Sequence, residues 1–199
     1  TLEEGQQAKL RTICERLALE PDDHLLEIGT GWGGLAVYAA RHYGCRVTTT
    51  TISQAQHDYA RAWIDKEGLQ DRITLLLEDY RHLQGTYDKL VSIEMIEAVG
   101  QRYLPAFFRT CQARLRPGGR MALQAITIQD QRYRDYSKSV DFIQRYIFPG
   151  GELLHVSTVL QDLARAGLEM VDTENLRPHY ARTLWAWSDG LEARLPAAR

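Results

Sequence analysis

Cysteine is scarce in this chain of 199 residues: Cys14, Cys45 and Cys111 are an odd number and lack the short spacing of metal ligands. That argues against a disulfide framework and fits a reducing compartment such as the cytoplasm. Each thiol is expected as a small core residue rather than a nucleophile. An excess of one charge is also missing, since 24 Lys and Arg face 26 Asp and Glu for a net charge of −2. No global field therefore draws the chain to nucleic acid, and no nucleic-acid partner is expected. Nowhere is there a run of roughly 20 apolar residues or a signal peptide, so a membrane substrate has to be approached from outside. The six histidines form no short-range ligand pair, and no metal site is expected; His24, His42, His57, His82 and His155 are expected on the surface or in loops. Internal repeats, low-complexity stretches and an inter-domain linker are absent too.

What is present suffices for one well-buried core, because 44% of the residues are apolar and the length suits a single domain over residues 1–199. Leu2 to Leu17 has the period of an amphipathic helix, with Leu10, Ile13, Cys14 and Leu17 on one face and Pro21-Asp22-Asp23 beyond its end. Strands are expected at Leu25 to Ile28, Arg46 to Thr50, Ile73 to Leu77, Lys89 to Ile93, Met121 to Thr127 and Glu169 to Asn175. Helices are expected from near Trp32 to Tyr43, and over Ser53 to Glu67, Leu104 to Leu115, Ser157 to Ala166 and Ala181 to Leu195. The strands are continuous apolar or β-branched runs, as in a parallel sheet covered on both faces by helices.

The stretch LLEIGTGWGG, Leu25 to Gly34, sends an apolar strand into a glycine-rich turn that opens a helix. Glycines allow a sharp turn and close approach to a ligand, and the helix start offers unpaired N–H groups to it. By itself the turn also matches a nicotinamide dinucleotide site. Such a site places an acid at the end of the second strand to hold the ribose, but here Val47 to Gln56 is VTTTTISQAQ, without one. The hydroxyls of Thr51 and Ser53 and the amide of Gln56 are left for that task. Further on, Asp79 and Tyr80 form an acid–aromatic pair after the third strand, and Pro117-Gly118-Gly119 forms a turn between a helix and a strand.

LLEIGTGWGGLA and VTTTTISQAQ, together with SIEMIEAVG (Ser92 to Gly100), DFIQRYIFPGG (Asp141 to Gly151) and HYARTLWAW (His179 to Trp187), carry a resemblance. The chain resembles S-adenosylmethionine-dependent methyltransferases of the cyclopropane-fatty-acyl-phospholipid synthase and mycolic acid cyclopropane synthase group. The first motif is shared across many methyltransferases; the later ones are narrow to this group. The implied architecture is α/β, a Rossmann-like class I methyltransferase fold with a mainly parallel, doubly wound sheet. Thr1 is no initiator methionine, and the chain stops just after a helix, where that fold adds a final antiparallel strand. In the resembled family an upstream segment covers the cofactor and supplies a cysteine. A truncated catalytic core lacking both is the expectation.

With that resemblance, Glu27 is assigned to the ammonium of the methionine part of S-adenosylmethionine, directly or through water. Gly29, Thr30, Gly31 and Gly33 let the backbone approach it; Thr51, Ile52 and Gln56 meet the ribose. Asp79 accepts from the adenine amino group and Tyr80 packs on the ring. The residues alone leave a solvated strand-end carboxylate open for Glu27 and a cap for Asp79. The implied reaction adds a methyl group to the cis double bond of an unsaturated phospholipid acyl chain, after which proton loss closes a cyclopropane ring. A bicarbonate ion serves as base in an apolar pocket that keeps water from the cation. By position in the motifs, Glu97 orients bicarbonate, Tyr180 is the family tyrosine and Ile126 contributes backbone. Gln124 stands where many members have histidine, and an amide cannot carry a proton. A dipole-stabilised helix carboxylate for Glu97 and a core tyrosine for Tyr180 are the plainer alternatives.

The excursion from Gln129 to Leu154 is the expected lipid contact, through Tyr133, Tyr136, Phe142, Ile143, Tyr146, Ile147 and Phe148, with Arg132, Arg134, Lys138 and Arg145 toward headgroups. An extra helix packed on its own core and a solvated cationic face are the alternatives. Other functions left open are a methyl-branching lipid enzyme, a methyltransferase on a soluble small molecule, and a fragment without catalysis. The expected location is cytoplasmic, peripheral to the inner membrane surface, and a homodimer is left open.

Overall fold

The computed structural model describes residues 1–195. Helix α1 (Leu2–Leu17) starts in a capping box, with the Thr1 hydroxyl accepting from the Glu4 N–H, and buries the expected Leu10, Ile13, Cys14 and Leu17. It is followed by β1 (His24–Ile28), α2 (Gly34–Tyr43), β2 (Arg46–Thr51), α3 (Gln54–Glu67), β3 (Ile73–Leu77), β4 (Tyr87–Ile93), α4 (Leu104–Arg114) and β5 (Leu115–Gln124). Parallel strands cannot be joined by a tight turn, and each apolar strand run is accordingly returned by a helix or a longer connection. The five strands form one parallel sheet in the order β3-β2-β1-β4-β5.

Successive side chains of a strand face opposite ways, so neighbours in β1 enter different cores. Leu25 joins Val47, Ile73 and Val91 under α1, α2 and α3, whereas Leu26 and Ile28 join Leu90, Phe107 and Phe108 under α4. Cys14, Cys45 and Cys111 are all fully buried within these clusters. His24 departs from the surface expectation: it opens β1, half-buried, with Nε2 2.8 Å from Thr48 Oγ1.

Helix α2 begins at Gly34 and not near Trp32, because Gly33 caps it in a left-handed conformation. Strand β5 begins earlier than expected. Tyr87 pairs with Leu115 and Lys89 with Arg120, so Pro117-Gly118-Gly119 is a bulge in this ladder rather than a turn ahead of the strand. The expected sixth strand, Glu169 to Asn175, is not formed: these residues are irregular and exposed. A strand exists by pairing, and among the described residues β5 is an edge of the sheet. Asp172 and Glu174 are instead held by Arg16 of α1, at 3.0 and 2.6 Å.

The excursion after β5 is bracketed by a two-stranded parallel sheet, β6 (Thr127–Ile128) with β7 (Leu154–His155). Between them lie α5 (Asp130–Tyr136) and a π-helical turn, Ile143–Ile147. Helix α6 (Val156–Arg165) packs on α4, and α7 (Arg177–Glu192) closes the described chain. No described helix is long and apolar enough to cross a membrane.

Candidate active site

All five strands run the same way, so the residues that follow them gather along one edge of the sheet. Gly29 to Gly33 follow β1, Ile52 and Gln56 follow β2, and Asp79 and Tyr80 follow β3. Glu94 and Glu97 follow β4, and Ile126 follows β5, which ends at Gln124. The winding direction reverses between β1 and β4, and such a reversal opens a crevice at the strand ends. The residues assigned to the cofactor lie on the β3-β2-β1 side, and those assigned to the chemistry on the β4-β5 side.

Glu27 lies inside β1, directly opposite Thr49 of β2, and is 3% exposed. Thr49 Oγ1 donates to Glu27 Oε2 at 2.6 Å, and Thr30 Oγ1 is 2.7 Å from Thr49 Oγ1. Since Thr49 has one hydroxyl proton and gives it to Glu27, Thr30 is the donor to Thr49. Burial pushes the Glu27 carboxyl up to about 8, against the Thr49 hydrogen bond. Among the described residues no cation pairs with it. A buried acid short of a countercharge suits a ligand ammonium.

The turn beyond Glu27 is pinned to β2, with the Gly29 and Thr30 N–H groups donating to the Thr50 carbonyl at 3.1 and 3.0 Å. At Gly29, φ is +101°, and a Cβ would come within 3.0 Å of Met95 Cγ, so a side chain is excluded on both counts. Thr51 Oγ1 donates to Gln56 Oε1 at 2.8 Å, which orients the Gln56 amide beside the exposed Ile52. Asp79 is engaged within its own turn. It accepts from Arg81 N and Nε at 2.9 Å and from Nη2 at 2.6 Å, and the Arg81 bonds lower its pKa. The Tyr80 ring meets the edge of Phe107, 5.5 Å between centroids. Thr51, Ile52 and Gln56 are thus brought beside the glycine turn, while Asp79 and Tyr80 carry structural contacts as well.

On the β4-β5 side, Glu97 sits in the 3-10 turn Ile96–Ala98. Its Oε1 accepts the Ile126 N–H at 2.5 Å, while Oε2 is buried without a hydrogen-bond partner among the described residues. Burial raises its pKa. An unpartnered buried oxygen of this kind calls for a ligand. Tyr180 reaches the same cluster from α7: Gln124 Nε2 donates to Tyr180 Oη and to Glu94 Oε1, both at 2.7 Å, and the Tyr180 hydroxyl donates to Glu94 Oε1. Burial and then the Glu94 bond push the Tyr180 pKa far up.

Glu97, Gln124, Ile126 and Tyr180 are therefore brought together. Glu94, Thr49 and Glu152 belong to the site as well, and motif reasoning left them without a role. The signal for Glu94 lay in SIEMIEAVG itself, where a first carboxylate precedes Glu97 by three residues at the end of β4. Glu152 anchors the return of the excursion: its N–H donates to the Glu97 carbonyl at 2.9 Å, and its carboxylate accepts from Gln101 N at 2.8 Å and Tyr133 Oη at 2.7 Å. Tyr136 Oη accepts from Leu153 N at 2.9 Å. Tyr133 and Tyr136 are thus anchors, while Phe142, Ile143, Tyr146, Ile147 and Phe148 stay exposed, as do Arg132, Arg134, Lys138 and Arg145.

A glycine turn at the switch point of a β3-β2-β1-β4-β5 parallel sheet, with an acid-free second strand end, defines a class I S-adenosylmethionine-dependent methyltransferase fold. The model of the mycolic acid cyclopropane synthetase family matches residues 1–199, and the chain belongs to that family. It is 41% identical over 201 residues to a probable fatty acid methyltransferase of Pseudomonas putida, covering 100% of this chain and 51% of that protein. To the cyclopropane-fatty-acyl-phospholipid synthase of Escherichia coli it is 38% identical over 200 residues, covering 98% and 49%. The mycolic acid cyclopropane synthase CmaA1, solved with SAH and CTAB, superposes with a TM-score of 0.90 at 29% identity, over 100% of this chain and 73% of that one. The chain spans about half the length of the curated relatives it matches.

Proposed function

We propose that this chain is the catalytic core of an enzyme that methylates the cis double bond of an unsaturated phospholipid acyl chain, at a membrane surface on the cytoplasmic side. S-adenosylmethionine, when bound, supplies an electrophilic methyl group on a sulfonium. The residues present fit it: buried Glu27 awaits a cation, and the space beside Gly31 is open, with nothing within 4 Å of an added Cβ. Glu27 would hold the ammonium, the Thr51–Gln56 pair the ribose, and Asp79 and Tyr80 the adenine. The SAH in the CmaA1 crystal supports S-adenosylmethionine as the cofactor.

The observation that carries the lipid reading is the carboxylate cluster beside that cradle. A soluble polar substrate would call for a spread of polar recognition groups. Here the polar groups are concentrated at Glu94, Glu97, Gln124 and Tyr180, and the excursion leaves Phe142, Ile143, Tyr146, Ile147 and Phe148 exposed as apolar surface for an acyl chain. A bound acyl chain covering such apolar surface would keep from the reacting carbons the water that would quench a cation. Loss of a proton after methyl addition gives a cyclopropane ring as the first reading. A methyl-branched chain that keeps a double bond is the second; the Pseudomonas putida relative is named a probable fatty acid methyltransferase, without mention of a ring.

Bicarbonate as the base fits the cluster less well. Two of the groups that the resemblance assigns to that ion, Gln124 Nε2 and Tyr180 Oη, already donate to Glu94, and the Ile126 N–H donates to Glu97. The test of the overall reading is transfer of labelled methyl from S-adenosylmethionine into vesicles of cis-unsaturated phospholipid, with fully saturated vesicles as control. Equal labelling of both would refute a double-bond acceptor.

A further inference from the structure

Glu94 is the unexplained member of the cluster. It follows β4 directly with φ +48°, in the left-handed region that residues other than glycine rarely enter. Such strain persists where the surroundings hold it, and it gathers at functional sites. Here the holding contacts are visible: the Glu94 N–H donates to the Gln124 carbonyl at 2.8 Å, and Glu94 Oε1 accepts from both Gln124 Nε2 and Tyr180 Oη. Both bonds fall on one oxygen. Among the described residues, Oε2 has none.

We propose that the Glu94 carboxylate is the base that takes the proton lost from the methylated acyl chain, in the place a bicarbonate ion would fill. This rests on the function proposed above. The other groups at the cluster suit the task less. Gln124 is an amide and accepts no proton. Tyr180 has its hydroxyl proton committed to Glu94, and its raised pKa keeps that proton in place. Glu97 is half-buried with Oε1 already accepting the Ile126 N–H, whereas Glu94 is exposed and its Oε2 is free of hydrogen bonds among the described residues.

In the step itself, a C–H bond of the new methyl group, or of a carbon adjoining the cation, breaks. Its electron pair fills the empty orbital, closing the ring or forming a new double bond, and the proton passes to Glu94 Oε2. From this exposed position it leaves to water.

The test compares the protein with Glu94→Gln and Glu94→Gly. Glutamine preserves the shape and both hydrogen bonds but takes no proton; glycine suits φ +48° and opens the position. With ¹³C-labelled bicarbonate followed by NMR, the Glu94→Gly protein is expected to bind the ion and the unsubstituted protein not to. In lipid methylation, removing bicarbonate should leave the unsubstituted protein's rate unchanged, Glu94→Gln should lose roughly 10²-fold or more, and added bicarbonate should restore Glu94→Gly at least about tenfold, in keeping with a replaced general base. Affinity for S-adenosylhomocysteine should be the same in all three. The proposal is overturned if the unsubstituted protein binds bicarbonate as Glu94→Gly does, if its rate depends on bicarbonate, or if Glu94→Gln keeps full turnover. Should none of the proteins methylate lipid, the proposed function falls, and the bicarbonate-binding comparison still decides the place of Glu94.

Discussion

The backbone N–H of Ile126 donates to Glu97 Oε1 at 2.5 Å, tying the segment after β5 to the turn after β4. That single bond fixes one oxygen of the carboxylate and leaves the other buried and unpartnered among the described residues. Position along the sheet edge separates this group from the cofactor cradle, and the separation has measurable consequences.

Replacing Glu97 by Gln is expected to lower turnover, because its carboxylate holds the Ile126 N–H and with it the segment after β5, while leaving S-adenosylhomocysteine affinity within about twofold, since a change confined to the chemical step does not alter ground-state binding. Calorimetry and turnover on the same preparations check this. A parallel loss of affinity would place Glu97 in the cofactor site.

Glu27 gives a pH dependence of defined sign. Its folded-state pKa, about 8, lies above the ordinary 4.5, so the folded ligand-free protein keeps a proton that the unfolded chain releases in that window. The associated stability is complete below 4.5 and is lost as pH rises toward about 8, at no more than about 1.4 kcal/mol per pH unit. Thermal melting across this range should show the decline, and Glu27→Gln should flatten it. A ligand ammonium favours the carboxylate, so S-adenosylhomocysteine binding near neutral pH should release a proton. Calorimetry in two buffers of different ionisation enthalpy would detect that release.

Gly31 adopts φ +52°, and a Cβ there would meet no protein atom within 4 Å. Substitution by Val therefore places its side chain in the open cradle and strains the backbone by roughly 1–2 kcal/mol. The expected result is a folded, somewhat less stable protein that no longer binds S-adenosylhomocysteine. Retained binding, or preferred binding of a nicotinamide dinucleotide, would overturn the cofactor assignment.

Local pattern carried much of this structure. Leu10, Ile13, Cys14 and Leu17 marked the buried face of α1, and the apolar runs marked β1, β2 and β3 within a residue at either end. What pattern could not carry was pairing. Glu169 to Asn175 has strand-like residues, yet no described ladder neighbour holds it. Thr49 acquires its bond to Glu27 only through the β1-β2 register. The left-handed turn at Glu94 depends on Gln124 and Tyr180, which lie 30 and 86 residues further along the chain. The motifs named Glu97, Gln124, Ile126 and Tyr180 one at a time; folding is what makes them neighbours.

The most direct measurement is mass analysis of phospholipid recovered from cis-unsaturated vesicles after incubation with the protein and S-adenosylmethionine carrying a deuterated methyl group. The account predicts an acyl chain enlarged by one carbon, retaining two of the three methyl deuterons where the ring closes and all three where a carbon adjoining the cation gives up the proton, with saturated vesicles unchanged. Acyl chains that bind the protein but never acquire the label, with the methyl group delivered instead to a soluble acceptor, would contradict it.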